Sequence, residues 1–278
     1  MPRIFKRVVI SLMLVIFPAA NAIAENHKKE ILLGSVAMDI PAVMYKRLSP
    51  LTKYLSSRLD MPVNLQLSPN MGAAIDAVAN QQVDIAYLTP VAYLKARKKG
   101  GAQIIAKTVT KGKASFRLMI VVKENSPINT VNDLIGKQFA FSDKRALLQR
   151  AALVGSGIRM EQLGGYQFIG HYDNIASAVM HGDFDAGILK DTMAYKWQNK
   201  GLRILYATPD LPPYNIAVSK DINGNLLKKI KNAFLDLNSN NPEDLKIIKA
   251  LDKKYNGFAA TTDAEYDVVR QLIEPFSR

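Results

Sequence analysis

The chain has 278 residues and is 48% apolar, enough to bury a real core, which excludes a disordered protein. It contains no cysteine, which excludes disulfides, thiolate chemistry and a lipid-modified N-terminal cysteine. Its formal charge of +13 favours an anionic ligand or an anionic surface. Residues 1–24 read as a cleaved secretory leader. Arg3, Lys6 and Arg7 form a basic start, an apolar run at 8–17 is broken only by Ser11, and Pro18 leads to a small-x-small site at Ala22-Ile23-Ala24. The run is shorter than the ~20 apolar residues of a membrane span, and no later stretch is long enough to be one. The leader carries three positive charges and no acid, so its removal lowers +13 to +10. A soluble product in a bacterial periplasm is expected.

Beyond the leader, 31–36 reads as a strand. Pro41–Leu59 reads as a helix, with Asp39 as its cap and an apolar stripe of Val43, Leu48, Leu51, Leu55 and Leu59. A second strand at 62–67 is followed by a helix capped by Asn70 that buries Ile75, Val78 and Ala79. Residues 83–88 are apolar, β-branched or aromatic apart from Asp84, and predict a short buried strand. That strand stops at Thr89-Pro90, a good N-cap followed by a good first helical residue, so a helix at 90–98 begins at once. A strand near 104–109 completes a β-α-β-α-β-α-β run, which predicts a mainly parallel sheet. The basic stretch of Lys95, Arg97, Lys98, Lys99, Lys107, Lys111 and Lys113 has no interleaved aromatics for stacking nucleic acid. It reads as a solvated helix end and loop.

Residues 111–113 form a linker, and a strand at 116–122 opens a second run. A turn or short helix follows at 130–134, then strand Gln138–Phe141, helix 143–154, strand 166–169 and helix 174–181. Strand 186–189, helix 192–198 and strand 202–206 complete it. Thr208-Pro209 and Pro212-Pro213 break the pattern. Strand 214–218 and helices near 226–237, Pro242–Leu251 and 263–273 finish the chain. Two α/β runs joined near 112 and again near 209 predict two lobes with a cleft between them. Residues 25–112 and 209–278 form the first lobe, with the helical tail packed back on it, and 113–208 form the second.

Catalytic patterns are absent: there is no phosphate-cradling Gly–Lys loop, no G-x-G-x-x-G, no nucleophile-elbow serine and no H-E-x-x-H. The histidines are His27, His171 and His181, and the last two stand at opposite ends of one predicted helix, too far apart to share a metal. No catalytic residue, metal or cofactor is expected. The recurring feature is a strand that runs into a helix N-terminus, leaving N–H groups at the carboxyl edge of a sheet, where open α/β proteins bind ligands. Thr89 marks one such junction. Ser142-Asp143-Lys144-Arg145 marks a second. Two cations in a first helical turn oppose the macrodipole by about 0.3–1 kcal/mol each, which a bound anion would offset; the other reading has both pointing to solvent beside Asp143. His171, with Asn174 in the helix behind it, marks a third and is a ligand group or a structural histidine. Tyr45 and Tyr87 are pocket walls or core. Lys190 and Asp191 follow another strand, and Tyr214 follows the second crossing.

These stretches resemble a known family. Ser49-Pro50-Leu51-Thr52-Lys53-Tyr54-Leu55, Asp84-Ile85-Ala86-Tyr87-Leu88-Thr89-Pro90, Val121-Val122-Lys123-Glu124-Asn125-Ser126-Pro127-Ile128, Asp133-Leu134-Ile135-Gly136-Lys137 and Gly170-His171 with Asn174 are similar to the phosphate/phosphite/phosphonate-binding (PhnD-like) periplasmic proteins of ABC importers. Thr208-Pro209 with Pro212-Pro213, and Thr262-Asp263-Ala264-Glu265-Tyr266-Asp267, fit the same pattern, so the resemblance covers nearly all of the mature chain. It implies an α/β, two-lobed type II periplasmic binding protein that closes about a hinge. The family grips a phosphorus oxyanion with a serine/threonine-rich helix N-terminus in the second lobe, helped by the histidine of the G-H motif; His171 carries over. The hydroxyl-rich loop does not, because Ser142-Asp143-Lys144-Arg145 is shorter, basic and has one hydroxyl. An acidic residue that the family offers to amino-bearing ligands stands here as Tyr214. The expectation is a monomeric solute-binding protein that delivers a small anion to an inner-membrane ABC permease, with Tyr45, Tyr87, Thr89, Ser142, Lys144, Arg145, His171, Asn174 and Tyr214 at its site. The alternatives are a sensor that signals to a membrane histidine kinase or chemoreceptor, and an enzyme on phosphorylated compounds, for which no motif speaks.

Overall fold

The computed structural model describes residues 30–36 and 40–276. The leader, His27 and the expected cap Asp39 lie outside the described residues. The first run is β1 (Ile31–Val36), α1 (Pro41–Leu59), β2 (Val63–Ser68), α2 (Met71–Ala79), β3 (Ile85–Leu88), α3 (Pro90–Gly100) and β4 (Gln103–Thr110). The second is β5 (Leu118–Lys123), β6 (Gln138–Phe141), α4 (Leu147–Gly155), β7 (Gly165–Phe168), α5 (Tyr172–His181), β8 (Ala186–Lys190), α6 (Asp191–Trp197) and β9 (Leu202–Ala207). Then come β10 (Asn215–Val218), α7 (Gly224–Leu235), α8 (Pro242–Leu251), β11 (Tyr255–Ala260) and α9 (Asp267–Ile273).

The local chemistry explains where these elements start and stop. Asn70 accepts a hydrogen bond from Ala73 N–H at the start of α2, and Thr89 accepts one from Ala92 N–H at the start of α3. Helix α3 ends at Gly101, whose φ of 75° closes it in the left-handed region that glycine adopts without strain. Asp84, the one polar residue of its stretch, is 1% exposed. Its carboxylate accepts from Leu32 N–H at 2.9 Å, which ties the start of β3 to β1. In α1, Met44 rather than Val43 joins Leu48, Leu51, Leu55 and Leu59 on the buried face.

The strands form two sheets, β11-β4-β10-β3-β1-β2 and β7-β6-β8-β5-β9. Both are mixed rather than mainly parallel. β10 runs antiparallel between β3 and β4, β5 runs antiparallel between β8 and β9, and β11 is an antiparallel edge on β4. Each run therefore has the same layout: its second, first and third strands, then one strand donated by the chain as it crosses over, then its fourth. Short buried apolar strands carry no mark of direction in their composition, which is why the inserted pair is invisible in the sequence. β11 was not expected, because Gly257 and two alanines give it weak strand character and a register shift follows Tyr255.

The two crossings are residues 111–117 and 208–214, and they pair with each other. Phe116 N–H donates to Leu211 C=O at 2.9 Å, and Leu211 N–H donates back at 2.8 Å. Because β5 and β10 are antiparallel, each enters its sheet at the edge where the parallel strands end: Leu118 lies opposite Lys190, and Asn215 opposite Leu88. Short connectors thus join the carboxyl edge of one sheet to that of the other.

The tail departs from expectation in part. Helices α7 and α8 pack on α1, but α9 packs on both α3 and α4, and its Val269 and Ile273 belong to a core cluster that contains residues of both sheets. Asp263 anchors this end, accepting from Tyr93 Oη at 2.6 Å and pairing with Arg97 and Arg270. The basic stretch is likewise not fully solvated, since Lys107 is largely buried and paired with Glu265. A Cβ at buried Gly187 in β8 would collide with Ile175 Cγ2 and lie 3.2 Å from Val179 Cγ2 in α5. Gly187→Val should therefore cost about 1–3 kcal/mol, read in thermal unfolding as a Tm several degrees lower. An unchanged Tm would contradict this packing.

Candidate functional site

The carboxyl ends of β6, β7 and β8 lie side by side, with Phe141 opposite Phe168 and Ala140 opposite Gly187. Within three residues of these pairs come Ser142, His171 and Lys190. A cavity of about 560 Å³ opens at this edge, and its lining includes Ser142, Lys144, Gln149, Phe168, His171 and Tyr172.

Gln149 builds its floor. The side chain is 3% exposed. Its Oε1 accepts from Ser142 N–H at 3.0 Å, and its Nε2 donates to Ser142 Oγ and to Tyr172 Oη, the latter at 3.1 Å. One buried amide thus fixes the serine turn and the first residue of α5. Sequence reasoning passed over Gln149, although a signal was present: it shares the buried face of α4 with Ala152 and Leu153 at i+3 and i+4.

His171 is the N-cap residue of α5 and makes no side-chain cap hydrogen bond. Its imidazole lines the cavity beside the positive end of a ten-residue helix. Gly170 before it has φ 87°, and its N–H donates to Ser142 C=O at 2.8 Å, so the two loops are tied together. Asn174 does not line the cavity; its Nδ2 donates to Ile169 C=O at 3.0 Å and steadies the same loop.

The helix expected from Asp143 starts at Leu147 instead. Asp143 accepts from Arg145 N–H at 2.8 Å, and its carbonyl accepts from Ala146 N–H at 2.9 Å, which holds this segment as an Asx-type turn. Lys144 and Arg145 therefore do not sit in a first helical turn. Lys144 lines the cavity, and among the described residues no carboxylate lies within ion-pair range of it. Arg145 is 91% exposed and pairs with Asp143 at 2.9 Å, holding that carboxyl below the usual range. It does not line the cavity; it offsets the charge of Asp143, an acid that does.

The remaining expected residues belong to the first sheet. Tyr87 is 3% exposed, its hydroxyl 2.7 Å from that of Tyr255 and its ring stacked on Tyr214 at 5.1 Å. It backs Tyr214 rather than presenting a wall of its own. Thr89 spends its hydroxyl on α3, and Tyr45 stands half exposed early in α1. Tyr214 is the aromatic face that this stack turns outward from the second crossing. Burial pushes the phenols of Tyr87, Tyr172 and Tyr214 up, and that of Tyr255 to about 12. Among the described residues, no group of three or more His, Cys, Asp or Glu is placed to hold a metal ion, and no helix is long and apolar enough to cross a membrane.

A family model described as the periplasmic substrate-binding protein of phosphonate ABC transporters matches residues 33–266. The chain is 24% identical over 281 residues to the phosphate-import protein PhnD of Mycolicibacterium smegmatis, covering 90% of this chain and 87% of that one. Among solved structures it is similar to PhnD1 of Prochlorococcus marinus in complex with methylphosphonate (20% identity, TM-score 0.66, 89% and 98% of the two chains). It is also similar to XAC2383 of Xanthomonas citri bound to ATP (18% identity, TM-score 0.71, 88% and 96%). At these identities the structural likeness carries the fold: α/β, with two mixed sheets, as in type II periplasmic binding proteins.

The tyrosine pair makes a pH prediction. A phenol whose pKa rises on folding favours the folded state while neutral. That stability is complete below about pH 10, the unfolded value, and is lost as pH rises through the folded one. Denaturant unfolding should therefore show stability falling above about pH 10, and less steeply in Tyr255→Phe. An equally steep alkaline fall in that variant would contradict the assignment.

Proposed function

Because the chain belongs to the periplasmic substrate-binding proteins of phosphonate ABC transporters, we propose that it captures a small phosphorus oxyanion in the cleft between its lobes and delivers it to an inner-membrane permease. In this reading residues 1–24 are a leader that exports it to the periplasm. Residues 25–112 with 209–278 form one lobe, and 113–208 form the other. The paired crossings serve as the hinge. Closure needs only a few kcal/mol of differential affinity between the open and closed states.

The observation that carries the ligand class is the cavity at the carboxyl edge of β6 and β7. Lys144 brings a positive charge with no carboxylate in ion-pair range among the described residues. His171 and the positive end of α5 stand beside it, and Gln149 holds Ser142 in place. Arg145 cancels the one acid on the lining. The ligands of the similar proteins support the same class: phosphate, methylphosphonate and ATP all present tetrahedral phosphorus oxygens.

Calorimetry on protein stripped of ligand, against phosphate, phosphite, methylphosphonate and a sulfonate, should give binding heat with at least one phosphorus oxyacid. No heat with any of them would contradict the proposal. His171→Ala and Lys144→Ala should each weaken that binding by about tenfold, as the loss of a charged or hydrogen-bonding anion partner does. Lys98→Ala with Lys99→Ala, at the far end of α3, should leave it unchanged. Equal losses would mean that only net charge matters.

A further inference from the structure

In the second sheet the chain places β7 on one side of β6 and then β8 on the other, so the strand order reverses between β6 and β8. Open α/β sheets bind ligands at the carboxyl ends of strands at such a reversal. Lys190, the last residue of β8, stands there. Its ammonium lies 4.8 Å from the centroid of the Phe116 ring, a contact that holds the side chain in place without cancelling its charge.

Around Lys190 is a second cavity of about 240 Å³, whose lining also includes Lys111, Lys113, Ser115, Asp191 and Thr192. Among the described residues, none of the three lysines has a carboxylate within ion-pair range. The one acid on the lining is already engaged: Asp191 Oδ1 accepts from Thr192 N–H at 2.6 Å, and Oδ2 accepts from Arg117 N–H at 3.2 Å. Burial lowers the pKa of Lys190, and the nearby carboxylates of Asp191 and Asp252 offset that only in part, a sign of the cost of holding this cation away from water. Neighbouring strands lie ~4.8 Å apart, so the backbone at the end of β8, which carries Lys190, is one strand step from the strand leading to Ser142 and two from the strand leading to His171.

We propose that the Lys190 cavity is a second anion subsite, and that the ligand is a phosphorus oxyacid carrying a second anionic group. The phosphorus end sits at Ser142 and His171, and the second group sits at Lys190, with Lys111 and Lys113 at the mouth. This rests on the oxyanion reading of the first cavity and narrows it to a doubly headed ligand.

The test compares 3-phosphonopropionate with propylphosphonate by calorimetry. The two share the phosphonate and the chain and differ in the terminal carboxylate. Wild-type protein should bind 3-phosphonopropionate at least about tenfold more tightly. Lys190→Met, which keeps the packing on Phe116, should erase the preference while leaving propylphosphonate affinity unchanged. Lys111→Gln with Lys113→Gln, on exposed backbone, should reduce the preference and decides the matter if Lys190→Met does not fold. Equal affinity of the wild type for both probes would overturn the second subsite and leave the oxyanion reading standing, as would equal loss of both probes in Lys190→Met. No binding of either probe, or of phosphate and methylphosphonate, would overturn both.

Discussion

The structure depends on two strands that cross over. β5 and β10 each leave one α/β run and insert, antiparallel, into the middle of the other. An antiparallel insert must enter at the edge where its parallel neighbours end. The crossings therefore arrive at the carboxyl edges of both sheets, and with only residues 111–117 and 208–214 to span the gap, those edges are held close together. The reciprocal hydrogen bonds between Phe116 and Leu211 join the two crossings into one ribbon. The same constraint puts Phe116 beside Lys190 and Tyr214 at the mouth of the first sheet. Parts of the crossings, Lys113, Phe116 and Pro213 among them, thus line a cavity at these edges.

On this scaffold the second sheet supplies charge and the first supplies aromatic surface. The polar framework of the second sheet turns on a single buried amide, Gln149, which is hydrogen-bonded at both ends. A buried polar group in this position is stable only because every partner is present, and it makes the Ser142 turn and the start of α5 a single unit. The Asp143–Arg145 pair adjusts the field without contributing a ligand group, since it offsets the acid on the lining, and among the described residues no carboxylate lies within ion-pair range of Lys144. Where the resemblance leads one to expect hydroxyls at a helix end, this chain has Ser142, Lys144 and a helix that begins four residues later.

Much of this was legible in the sequence. Pro41–Leu59, Gln138–Phe141 and Pro242–Leu251 were readable to the residue, because a proline opens each helix and the apolar pattern runs the length of each element, although α1 has Ile40 rather than Asp39 at its N-cap. Strand direction was not, because Val121 or Ile216 looks the same whichever way its neighbours run. The late start of α4 was hidden by a local competition: Asp143 suits a helix N-terminus, but its side chain turns back on Arg145 N–H and its carbonyl takes Ala146 N–H. At the site, Ser142, Lys144 and His171 could be placed on one sheet edge from the strand-to-helix junctions alone. That Arg145 would spend its charge on Asp143, and that Tyr87 would lie behind Tyr214, depends on side-chain packing between elements distant in sequence. Gln149 and Lys190 were visible as anomalies, a polar residue on a buried helix face and a cation ending a buried strand. Lys190 was noted at its strand end but left out of the expected site, and weighting such anomalies above lone tyrosines would have brought both residues into it.

The most direct measurement is a crystal structure of the protein with methylphosphonate bound. The account predicts the phosphorus in the cavity at the carboxyl edge of β6 and β7, with its oxygens in hydrogen-bond range of Ser142 and His171 and facing Lys144. Phosphonate bound elsewhere, or bound there without contact to any of these three residues, would contradict it.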